Sequence, residues 1–222
     1  MTSKKIQIIS GILSALLLSV SGCSTDIAIT ALPDSSGGLH AVLSAGPAAE
    51  KTFTALTGTE TTGTGPDTDA IQKNLEEAGL TAVTVSADGT SSLTVQGTVK
   101  NLAAGITAFP GFISGTTDKS GKHQFTVTFS PDIMQKAVKA FPETIQNYAD
   151  LLMAPVFTGE TMTQQEYKEL LAAVYGNSFA EELAESTVRI SFSSPAAAVQ
   201  NEAVPLLELL TLKKTKIISF IW

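Results

Sequence analysis

The chain has 222 residues, 43% of them hydrophobic and 16% charged, a balance that describes a globular protein with enough length for a packed core rather than a disordered one. Its formal net charge of −7 repels phosphate backbones and anionic head groups, which argues against nucleic acid as a partner and against a basic membrane-docking face. A single cysteine excludes a disulfide framework, so stability must come from the core.

Lys4 and Lys5 form a short positive region, and residues 6–20 follow as an apolar stretch. A spanning helix needs about 20 predominantly apolar residues, so this segment is short for a permanent span and fits a secretory leader. It ends in Val20-Ser21-Gly22-Cys23, an aliphatic residue, two small ones and a thiol. These four residues resemble the lipobox of bacterial lipoproteins, and the resemblance covers the first two dozen residues only. It implies a signal peptide over residues 1–22, recognition by the signal peptidase through Val20, Ser21 and Gly22, and acylation (palmitate included) of Cys23. The chemistry suits the pattern. Small side chains let an extended backbone enter a peptidase, and a thiolate is the strongest nucleophile a side chain offers for taking up a diacylglyceryl group. One acyl chain holds a protein at a membrane only marginally, and two or more hold it stably.

The remainder, residues 23–222, is expected to be one domain. Ile27, Ile29 and Ala31 alternate with polar or small residues up to Pro33, and Asp34 to Gly38 is turn chemistry. Leu39 to Ala45 then runs back as the second strand of an antiparallel hairpin. A short helix is predicted over Ala48 to Leu56, followed by a Thr/Gly-rich loop at residues 57–66 with no apolar periodicity. Pro66 to Asp69 starts a helix whose Ile71, Leu75 and Ala78 share a face, with Gly79 placed to cap it. Leu80 to Ala87 and Ser92 to Val99 flank Asp88-Gly89, a strong hairpin signal.

A connection containing Gly105, Phe109, Pro110 and Phe112 leads to Phe125, Val127 and Phe129, the clearest amphipathic strand. Ser130-Pro131 is an N-cap followed by proline at the first helical position. Pro142 breaks that helix, and a second runs on to end at Pro155. Thr163 and Glu166 have capping-box spacing, with Gly176 as the stop, and Ser178 with Glu181 repeats the spacing for a short helix. Val188, Ile190 and Phe192 return to period two. An apolar stretch from Val204 to Leu212 reads as core strand or helix, and a turn at Lys213-Lys214 precedes a last strand to Trp222. The expected fold class is α+β, a mostly antiparallel sheet with a helical cluster packed on one face.

No constellation in the sequence identifies a catalytic, cofactor or metal site. Residues 115–122 have five residues between their glycines and run into a strand, so they read as a polar turn, not a phosphate loop. His40 and His123 would have to converge with carboxylates to hold a metal. Asp67, Asp69, Glu76 and Glu77 lack the glycine and distal glutamate of a calcium loop and suit a helix N-terminus and a solvated face. The expectation is a lipid-anchored envelope protein, outer membrane more than inner because Ser24 follows the cysteine where an aspartate favours inner-membrane retention. Its domain would be non-enzymatic, binding or structural, with a protein or lipid partner. The alternatives are a carrier of hydrophobic ligands, which needs an apolar cavity of several hundred Å³, an unrecognised hydrolase built on His40 or His123, and last a β-barrel, which the aromatic end Phe220-Ile221-Trp222 suggests and the helical cluster from Pro131 to Leu183 opposes.

Overall fold

A computed structural model describes residues 23–57, 67–77, 79–89, 91–102, 112–138, 143–195 and 197–222. The expected leader, with Val20, Ser21 and Gly22, lies outside the described residues. So do positions 58–66 of the Thr/Gly-rich loop, Ala78 of the expected helix face, positions 103–111 of the glycine- and aromatic-containing connection, and the expected break at Pro142.

Six strands form one sheet: β1 (Cys23–Ala31), β2 (Gly37–Ala45), β3 (Leu80–Asp88), β4 (Ser92–Val99), β7 (Thr187–Ser194) and β8 (Ala197–Pro205). Their order is β3-β4-β2-β1-β7-β8, antiparallel throughout except for the parallel pair of β1 and β7. A second sheet of three strands joins β5 (Ile113–Thr117), β6 (His123–Phe129) and β9 (Lys216–Ile221) in the order β5-β6-β9. The fold is therefore α+β with a mostly antiparallel main sheet, and the strands divide between two sheets where one was expected.

The two-residue period explains the arrangement. Ile29 lies opposite Leu39 and Phe192, and Ala41 opposite Val95, so their side chains share one face, and all of these are buried. The intervening residues, among them Asp26, Thr30, His40, Ser44 and Gln96, are exposed on the other. The smaller sheet packs on the buried face through Phe125, whose ring stacks 6.2 Å from Phe192, and Phe220, stacked 5.2 Å from it. The buried residues of both sheets and the helices make one apolar cluster.

The helices cover the rest of that face: α1 (Pro47–Thr57), α2 (Thr68–Glu77), α3 (Pro131–Val138), α4 (Glu143–Leu152), α5 (Ala154–Thr158), α6 (Gln164–Tyr175), α7 (Asn177–Glu185) and α8 (Leu206–Leu210). Local chemistry sets several of their ends. The Asp67 carboxylate accepts from the Ala70 amide at 2.9 Å at the start of α2, and Gly79 takes φ 97° just beyond it. Ser130 Oγ accepts from Ile133 N at 3.2 Å, and Thr163 and Glu166 form the expected capping box of α6. The Tyr167 hydroxyl, driven up in pKa by burial, donates to the Leu152 carbonyl and ties α6 to α4.

Two expected boundaries are corrected. Pro155 does not end the helical run; it sits in the first turn of α5, where its missing N–H costs nothing. Ser178 does not cap α7; the helix starts from Gly176, and Ser178 lies inside it. The leucine-rich segment is core: Leu206, Leu207, Leu209 and Leu210 are all buried in α8.

Candidate functional site

β1 begins at Cys23, which pairs with Ala45 of β2. On the other side the parallel register sets Thr25 beside Val188, so the chain enters the sheet as an inner strand with neighbours on both flanks. The turns at this end are short and close. Ala45 N donates to Ser91 O at 2.7 Å, and Asp88 pairs with Ser92 around the Gly89 turn, whose φ of 62° suits glycine. Immediately after β2, the Glu182 carboxylate of α7 accepts from Ala48 N at 3.0 Å and Ala49 N at 2.9 Å. An anionic side chain at a helix N-terminus satisfies amides that have no intrahelical acceptor and complements the helix dipole.

Thr25 is the odd residue at this end. It is fully buried, and its hydroxyl has no hydrogen-bond partner among the described residues. An unpaired buried hydroxyl carries a desolvation penalty that valine, of nearly the same shape, does not. Thr25→Val is expected to raise the stability by about 1 kcal/mol in urea unfolding. A loss of stability would show that the hydroxyl is paired.

The other sequence candidates do not converge. His40 is exposed on the open face of the main sheet, opposite Gln96. His123 lies in β6 of the smaller sheet, on the far side. Its Nδ1 is 2.8 Å from Thr117 Oγ1, and its ring lies 5.2 Å from that of Trp222. Among the described residues no three His, Cys, Asp or Glu side chains are grouped to hold a metal. The 115–122 segment is the end of β5 and a turn into β6. There the Asp118 carboxylate accepts from Ser120 Oγ at 2.6 Å and Lys122 N at 3.0 Å. Those bonds, the serine hydroxyl first, hold its pKa below the usual carboxylate range. Asp67 and Asp69 sit at the start of α2, and Glu76 accepts from Gln72 within that helix.

No family model, curated protein or solved structure matches this chain.

Between the sheets, Ile29, Leu39, Leu102, Phe112, Phe125 and Val127 help to line an apolar cleft of about 30 Å³. That is the space of about one water, against the several hundred Å³ that a drug-sized ligand fills. The open face of the main sheet is broader. It presents short hydroxyl and small side chains, with Asp26 and Arg189 joined in an exposed ion pair at 2.6 Å. Sequence reading did not single out this face, although the polar half of each strand's alternation is its signal.

Proposed function

We infer that this protein is a lipid-anchored lipoprotein of the bacterial cell envelope, held by acylated Cys23, with a binding or structural domain and no enzymatic activity. The observation that carries the reading is the lipobox Val20-Ser21-Gly22-Cys23 at the end of a short apolar leader with lysines before it. The fold is compatible with processing there: β1 starts at Cys23, so a cut ahead of the cysteine would leave the whole strand on the mature chain. The domain's role is inferred from the broad, hydroxyl-rich face of the main sheet, which suits another macromolecule more than a small substrate that needs a concave pocket. Ser24 behind the anchor favours the outer membrane.

Cys23→Ala is expected to abolish incorporation of a fatty-acid probe and to release the protein from membranes. Probe still incorporated into the variant would overturn the assignment.

A further inference from the structure

We propose that the lipid holds the domain in one orientation, with the end of the main sheet that carries Cys23 seated on the head groups of a neutral bilayer. This rests on acylation of Cys23. No chain separates the anchor from the fold: Cys23 is itself a ladder residue, paired with Ala45. A flexible linker of about ten residues would place a domain some 17 Å from its anchor on average and let it tumble. Here the only slack is one side chain and its thioether. The strand ends beside Cys23 must then lie at the bilayer surface.

Those ends are the Asp88-Gly89 turn with Ser91, the Ala45-Gly46 turn, and Pro205, which pairs with Thr187 at the start of β7. Their residues are mostly small. Asp88 and Glu185 are exposed, and these turns hold no lysine or arginine. Each basic residue near an anionic leaflet contributes about 1 kcal/mol of attraction, and these turns offer none of it while Asp88 and Glu185 add carboxylates. The surface it fits is zwitterionic. The opposite pole, with the β1–β2 turn and Lys100, would stand about 30 Å away, the length of a nine-residue strand.

The test uses the lipidated full chain in phosphatidylcholine vesicles, with a fluorophore on Asp88→Cys or on Lys100→Cys. Acylation of Cys23, the chain's single cysteine, leaves the introduced thiol as the one to label. Lipids spin-labelled at the head group should quench the probe at position 88 severalfold more than at position 100. Inserting about ten glycine and serine residues between Cys23 and Ser24 should remove that difference while the protein still floats with the vesicles. Flotation with equal quenching at both positions overturns the orientation alone, and a difference that survives the insertion overturns the short tether as what sets it. Failure of the uninserted protein to float overturns the anchor, and the orientation with it.

Discussion

Phe192→Ala is expected to cost about 3–5 kcal/mol of stability, the range for removing a buried phenylalanine from a core that cannot collapse around the gap. Phe192 is fully buried on β7, and its ring meets three others. Phe125 and Phe220 stack on it at 6.2 Å and 5.2 Å, and Trp222 is tilted against it at 5.1 Å. Those partners all belong to the smaller sheet or follow directly on it, so this side chain joins the two layers. Each aromatic pair adds about 0.5–1.5 kcal/mol beyond the area it buries. Much of a domain's net stability of about 5–15 kcal/mol therefore depends on one residue. Chemical denaturation of the variant checks this; a loss below about 1 kcal/mol would mean that the layers are held together elsewhere.

The second large effect is a coupling between Gly46 and Glu182. A Cβ on Gly46 would stand 2.2 Å from the Glu182 carboxyl carbon. Gly46→Ala should therefore push the carboxylate off the amides of Ala48 and Ala49, and Glu182→Ala should remove it outright. Hydrogen bonds to a charged group contribute about 1.5–3 kcal/mol, and each single variant should lose an amount of that order. The double variant should lose little more than either one, because both break the same contact. Additive losses would show that the glycine is needed for another reason. The pair is 136 positions apart in sequence and fixes the turn that leaves β2 next to Cys23.

Such a contact shows why part of this fold was legible and part was not. The β1–β2 and β3–β4 hairpins, the β6 alternation and the α6 capping box are written in neighbouring residues, where turn chemistry and period act directly. β5 and β8 are not. β5 reads Ile-Ser-Gly-Thr-Thr, with little alternation to bury, and is an edge strand defined by its pairing with β6. β8 is rich in alanine with a glutamine and a glutamate, residues that favour helix, and takes its form from the register with β7. The parallel pairing of β1 with β7 joins segments some 160 residues apart and leaves no local trace. The division into two sheets is likewise set by which apolar faces meet.

The candidate site divides in the same way. A peptidase and an acyl transferase read an extended segment residue by residue, so the features of an anchor stand openly in sequence. A partner for a folded face reads shape, and the hydroxyl-rich face takes its breadth only when six distant segments lie side by side. Its polar residues, taken one strand at a time, are indistinguishable from ordinary solvated positions.

The central claim is that Cys23 becomes the acylated first residue of a membrane-held domain. Mass spectrometry of the N-terminal peptide from membrane-purified protein tests it most directly. The account predicts a peptide that begins at Cys23 and carries the mass of a diacylglyceryl group on its sulfur. A peptide that begins elsewhere, or that carries Cys23 as a free thiol, would contradict it.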